Sequence, residues 1–232
     1  LVLDNRGTDY GNRSLLLLMS NYFDHEYLSH SDLKSFEKKV GLLREDPPNL
    51  QAIFDLGTLI HSTILEPHLV EHPDGDPDYE LAKKMRKTFF EDGLCRAIVM
   101  GNDFVREKEF YNPKMELGVK SRCKMDGART NQKFCLELKG LNVMTENQFN
   151  DALVNFNYDR GIAWYLLTAE YRWAVIVGIS KKDPTRLFKR VVKRGDEFYL
   201  AGEQKCIDVL KLLKNYSPED FNDIGGFTNV HN

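Results

Sequence analysis

The segment from Arg122 to Gly140, R-C-K-M-D-G-A-R-T-N-Q-K-F-C-L-E-L-K-G, holds an acid, Asp126, then a turn-like stretch, then Glu137-Leu138-Lys139 at the end of an alternating apolar run. In a strand alternate side chains share a face, so Glu137 and Lys139 point one way and Phe134, Leu136 and Leu138 the other. A carboxylate and an ammonium held together on a half-buried strand are costly unless something uses them. With Asp126 upstream, the economical use is a divalent metal flanked by a lysine. Hard cations such as Mg²⁺ take one or two carboxylates and complete their shell with water and substrate phosphate. Asp126 and Glu137 supply the carboxylates, and the Leu138 carbonyl a third oxygen. Such a metal would lower the pKa of a coordinated water and neutralise charge at phosphorus. Lys139 would orient or activate that water, or stabilise the developing oxyanion. The competing reading is a solvated face carrying a weak Glu-x-Lys ion pair.

Other side chains sort around this pair. Lys120, Arg122 and Lys124 share the face of Asp126 by period two. There they would draw a phosphodiester toward the acid, or merely keep a sheet edge soluble. His61 lies in an apolar helical pattern, where a histidine is more often a satisfied core residue; the alternative is a third metal ligand through neutral imidazole. Glu66, before Pro67, suits a helix terminus better than a ligand. Tyr158 and Tyr165, seven apart, fall on one helical stripe. Core packing accounts for at least one of them, and the functional alternative is a phenol at the scissile phosphate or the metal-bound water. A tight hairpin centred near Arg129-Thr130 would not set Asp126 opposite Glu137, so the strands must bend or the acid must sit where the sheet splays.

The elements that must position these residues are legible in outline. Ser29-His30-Ser31-Asp32 before L-K-S-F-E resembles a helix start capped by Ser31 or Asp32. Pro47-Pro48 breaks the chain, and Asn49 to Leu65 predicts a helix ended by Glu66-Pro67. Residues 68–78 form a loop, Tyr79 to Phe90 a helix, and Gly93 to Met100 a second short one. Strands are expected over 105–110, 116–125 and 132–139, helices over 146–155 and 158–169. Strands at Trp173 to Ile179 and Leu187 to Lys193 follow, then a helix from about Glu203 to Leu213. The order implies an α/β fold with a mixed sheet flanked by helices and an N-terminal helical region. The expected division is an N-terminal extension over 1–27, one domain over 28–214 and a C-terminal tail over 215–232.

Composition sets the outer bounds. The 232 residues are 42% hydrophobic with a net charge of −3, so nothing global favours nucleic acid or an anionic membrane. Basic residues bunch locally, at Lys83 to Lys87, Lys120 to Lys124 and Lys181 to Arg194, and most such runs are solvated faces. Cys95, Cys123, Cys135 and Cys206 form no C-x-x-C pair, which disfavours zinc, iron–sulfur or a disulfide framework and fits a reducing, cytoplasmic setting. The apolar run Leu15 to Met19 is too short to span a bilayer, and no signal-peptide pattern precedes it. A first residue of leucine fits a processed or trimmed chain.

Together these residues resemble the PD-(D/E)XK nuclease superfamily, in its RecB-like branch, most nearly the RecE-type exonuclease domain of phage recombination systems (exodeoxyribonuclease VIII). Five segments carry the resemblance in order: S-H-S-D-L-K-S-F, then L-G-T-L-I-H-S-T-I-L-E-P with His61, C-K-M-D with Asp126, L-E-L-K with Glu137 and Lys139, and Y-D-R-G-I-A-W-Y with Tyr158 and Tyr165. They span residues 28 to 180. The resemblance implies a restriction-endonuclease-like core and a Mg²⁺- or Mn²⁺-dependent DNA exonuclease of a bacterial or phage-infected cell. It assigns His61, Asp126 and Glu137 to the metal, Lys139 to catalysis and Tyr165 to the substrate phosphate. It also implies duplex ends resected 5′ to 3′, a single-strand annealing partner and, weakly, a homo-oligomeric ring. The chain departs from the pattern at Gly161, where a glutamine is usual, and at Gly140, where Thr or Ser is usual. Two other expectations stand beside this one: a structure- or site-specific endonuclease of the same superfamily, and a non-catalytic DNA-binding module that kept the fold.

Overall fold

The computed structural model describes residues 27–43, 47–71 and 75–215. Nearly all of the expected N-terminal extension and C-terminal tail, with the Leu15 to Met19 run, therefore lies outside the described residues. Helices α1 (His30–Lys39), α2 (Leu50–Leu65), α3 (Pro77–Glu91) and α4 (Gly93–Val99) come first, with a 3-10 turn at Pro67–Leu69. Strands β1 (Phe104–Asn112), β2 (Ser121–Arg129) and β3 (Phe134–Leu141) follow, then α5 (Glu146–Asn155) and α6 (Tyr158–Thr168), β4 (Trp173–Ser180), β5 (Leu187–Lys193) and α7 (Glu197–Lys214).

The strands form one mixed sheet in the order β1-β2-β3-β4-β5, antiparallel throughout except for the parallel pair β3 and β4. A parallel pair needs a long crossover, which α5 and α6 supply. Helices cover both faces, so the inner strands are buried on both sides: Ala174 to Ile179 of β4 and Cys135 to Leu138 of β3 are all buried. One core layer joins Leu33 and Phe36 of α1, Phe149 of α5, Trp164 of α6 and Leu210 of α7 to the sheet residues Cys123, Met125 and Cys135. The other packs Ile60 and Ile64 of α2, Met85 and Phe89 of α3 and Ile98 of α4 on Leu136, Leu138, Val175 and Val177. This is the expected α/β architecture with a mixed sheet and helices toward the N-terminus. All four cysteines are free and buried. No helix among the described residues is long and apolar enough to cross a membrane.

Three local expectations need correction. The cap of α1 is Ser29, not Ser31 or Asp32. Ser29 Oγ accepts the Asp32 N–H at 3.2 Å while Asp32 Oδ2 accepts the Ser29 N–H at 2.7 Å, a reciprocal capping box with the acid at the third helical position. Strand β2 starts at Ser121, five residues later than expected, because Met115 to Val119 close a turn through Gly118 at φ +79. Helix α7 starts at Glu197, capped by Asp196, rather than near Glu203. Gly202, which obscured that first stretch, is there for close approach: a Cβ would lie 2.2 Å from the Asp159 carbonyl oxygen of α6.

Candidate active site

The β2–β3 ladder runs Arg129↔Phe134, Ala128↔Cys135, Gly127↔Leu136 and then stops. Its turn occupies residues 130–133, later than the Arg129-Thr130 centre expected, so continuing the register does set Asp126 opposite Glu137. The splaying expected from the sequence is present at that point. Asp126 Oδ2 accepts the Leu138 N–H at 2.7 Å, a side chain replacing the backbone acceptor that the parted strand withdraws. Further along β2, Leu28 takes over the pairing: its N–H donates to the Lys120 carbonyl at 3.0 Å and its carbonyl accepts from the Arg122 N–H at 2.7 Å. The split between β2 and β3 is thus bordered by the acids on one side and by the entry to α1 on the other.

Four ionisable groups meet at the split. His61 Nδ1 lies 3.2 Å from Asp126 Oδ1. Lys139 Nζ lies 2.6 Å from Glu137 Oε1 and 4.0 Å from Asp126 Oδ2. Glu137 is 6% exposed, and its Oε2 is buried with no hydrogen-bond partner. The two acids are driven apart. Burial, then the neighbouring Asp126 charge, pushes Glu137 up to about 7 despite Lys139. Burial would also raise Asp126, but His61, Lys139 and the Leu138 N–H hold it well below the usual carboxylate range. His61 is raised: burial opposes its charge and Asp126 overrides that. Lys139 is likewise raised, burial being outweighed by Glu137 and Asp126.

The remaining sequence candidates lie around this centre. The Lys139 ammonium sits 5.5 Å from the centroid of the Tyr158 ring. Tyr165 lines an adjoining cleft of about 340 Å³ with Ser29, His30, Arg122 and Lys124; its phenol is raised well above its ordinary value by burial first and then by Glu137 and Asp126. Both tyrosines also pack on the core. The two cations are engaged by acids, Arg122 with Asp32 at 3.8 Å and Lys124 with Glu107 at 2.6 Å. Leu138 contributes its backbone here, its side chain being fully buried. Glu66 is the C-terminal cap position of α2. Much of the basic run at 181–194 is taken up in ion pairs, Arg186 with Asp183, Lys189 with Asp92 and Arg194 with Glu116.

Three residues that sequence reasoning did not single out belong to the neighbourhood: His30 and Lys34 on one face of α1, and Arg160 of α6. Their signal was present in part, since His30 and Lys34 are spaced i,i+4 behind a capping box. Arg160 carried none, because its partners are distant in sequence.

A hard divalent cation fits the donor set. Lys139 Nζ reaches both Asp126 and Glu137, and Glu137 Oε2 is a buried carboxylate oxygen without a partner. Among the described residues no group of three or more His, Cys, Asp or Glu side chains is placed to hold a metal ion. Mg²⁺ does not require one, because it keeps several waters on one or two carboxylates.

No protein-family model and no curated protein matches the chain. Solved structures do. A candidate exonuclease from Eubacterium rectale aligns at TM-score 0.55 and 14% identity, over 93% of this chain and 87% of its own. A phage-related exonuclease from Haemophilus somnus 129PT aligns at TM-score 0.45 and 10% identity, over 89% and 100%. An alkaline exonuclease from Laribacter hongkongensis aligns at TM-score 0.41 and 12% identity, over 88% and 95%. The first of these likenesses shows a shared fold over most of both chains.

Proposed function

We propose that this chain is a divalent-metal-dependent DNA exonuclease of the RecB-like PD-(D/E)XK kind, resecting duplex ends 5′ to 3′ in phage-type recombination or repair. The observation that carries the reading is the split sheet: just past the last ladder pair, Gly127↔Leu136, Lys139 lies 2.6 Å from Glu137 and 4.0 Å from Asp126. The fold shared with a candidate exonuclease supports it.

Asp126, Glu137 and the Leu138 carbonyl would hold Mg²⁺ or Mn²⁺, with His61 a fourth donor once it leaves Asp126. When bound, the cation supplies a more acidic water and neutralises charge on the phosphodiester. The protein's own contribution is positional. The Leu138 N–H fixes one Asp126 oxygen, and the other, now 3.2 Å from His61 Nδ1, would serve the cation once His61 turns away. Lys139, held charged by both acids, would orient or activate the nucleophilic water or stabilise the developing oxyanion. Tyr158 supports the Lys139 ammonium, while Tyr165, Arg122 and Lys124 border the path of the DNA backbone. Use of Arg122 and Lys124 on phosphate requires exchange from Asp32 and Glu107. A single-strand annealing protein and further copies of this chain are the partners this role implies.

The test is nucleotide release from linear and from closed circular duplex DNA, with Mg²⁺ or EDTA, for wild type and Lys139→Ala. Metal-dependent release from linear DNA alone, lost in Lys139→Ala, is the expected result. Nicking of the circle would replace the exonuclease by an endonuclease. DNA binding without cleavage under any metal would leave a binding module.

A further inference from the structure

Beside the acids, His30, Arg160 and Gly161 form a second constellation that the roles above leave unused. Arg160 is 1% exposed and meets α1 at two points: its Nη1 forms an ion pair with Glu37 Oε2 at 2.6 Å and its Nε–H donates a hydrogen bond to His30 Nε2 at 3.2 Å. A guanidinium only donates, so Nε2 is the acceptor nitrogen and the imidazole proton belongs on Nδ1. The ring stands over Gly161, where a Cβ would meet His30 Cε1 at 3.3 Å and Nδ1 at 3.4 Å. Any side chain at 161 therefore presses on the imidazole. The same histidine lines the cleft shared by Tyr165, Arg122 and Lys124.

The surroundings keep this ring uncharged. Burial first, then the positive charges of Arg160, Lys34 and Lys139, hold His30 well below its ordinary value. No acid is among these causes. A neutral donor fixed on a buried ion pair, with Lys34 and Lys139 also near, suits an oxygen of the DNA backbone; the two acids that line the cleft, Asp32 and Glu109, are engaged by Arg122 and by the Tyr111 hydroxyl.

We propose that His30 is a substrate-contacting residue whose Nδ1–H binds a phosphate oxygen of DNA in the cleft, that Arg160 and Glu37 hold it there, and that Gly161 lacks a side chain to make room for it. This rests on the reading of the cleft as a DNA site. It adds a contact from α1 to a site otherwise built from α2, the sheet and α6.

The experiment measures binding of a labelled short DNA duplex in EDTA, and nucleotide release with Mg²⁺, for wild type, His30→Ala, His30→Asn and Gly161→Ala, with thermal midpoints for each. Loss of one neutral hydrogen bond should weaken binding about three- to tenfold in His30→Ala. His30→Asn, which keeps an N–H donor near Nδ1, should recover much of it at a similar midpoint. Gly161→Ala keeps every polar group, favours the helix and should still weaken binding by crowding the ring. Equal losses in His30→Ala and His30→Asn would make the role structural and overturn the proposal, as would wild-type binding by both His30→Ala and Gly161→Ala. If His30→Ala does not fold, Gly161→Ala alone decides by the same reading. A wild type that binds but releases no nucleotide sinks the exonuclease and leaves His30 to be judged on binding. A wild type that binds no DNA overturns both.

Discussion

His61 and His30 flank the same split in the sheet from opposite faces, and their surroundings send them to opposite charge states. His61 comes from α2 and meets an anion, Asp126, at 3.2 Å. His30 comes from α1 and meets a cation, Arg160, at 3.2 Å. Both are removed from water, which by itself disfavours the charged form of each. The partner then decides: Asp126 overrides burial at His61 and raises it, while Arg160, Lys34 and Lys139 add to burial at His30 and lower it. One residue type thus serves as an acid's partner on one face and as a neutral donor on the other. Residue identity alone assigns neither role.

The largest expected effect is at Arg160. Arg160→Met leaves Glu37 without its cation and His30 without its donor, and should cost about 3–5 kcal/mol of stability in urea unfolding. Adding Glu37→Leu should restore most of it, since an apolar pair of similar volume replaces a buried ion pair well. A single mutant as stable as wild type would show that the α1 side is not held by this pair.

Removing the charge that both histidines feel comes next. Lys139→Ala should lower the rate of nucleotide release by about 10² to 10³-fold, as for loss of one transition-state donor, at saturating DNA. His61→Ala should have a smaller effect, on the order of 10- to 100-fold, whether the imidazole reaches the cation or only orients Asp126. Release undiminished in His61→Ala would reduce that side of the comparison to packing.

The smallest effect sharpens the charge states themselves. Because folding lowers His30 from 6.5, the unfolded chain takes up a proton that the folded chain refuses. The stability His30 permits is full above that value and is lost as pH falls through it toward the folded value. In EDTA, wild-type stability measured by urea should therefore drop more steeply between about pH 7.5 and 5.5 than that of His30→Asn. Parallel profiles would show that His30 titrates normally.

Where the sequence was legible, a local physical rule was at work. The apolar run Trp173 to Ile179 marked β4 to within a residue of its observed end at Ser180, and α5 covers the 146–155 expected. The site centre was legible because Asp126, Glu137 and Lys139 sit on two strands joined by a short loop. Their register was not. It depends on a turn that closes through the Arg129 and Thr130 carbonyls with Lys133 at φ +49, a conformation that a lysine does not announce. The start of α7 was hidden by Gly202, a poor helix former whose reason is the carbonyl of Asp159 more than 40 positions earlier.

The sequence by itself determined the order of elements and the presence of two acids and a lysine within one hairpin, because periodicity and short spacing are local quantities. Tertiary structure alone decided that the β2–β3 ladder stops at Gly127↔Leu136 and that Leu28 completes β2 beyond it. It also decided which histidine faces an anion and which a cation. His30 and Arg160 are separated by 130 positions, and the charge state of a buried imidazole depends on distance in space, not along the chain.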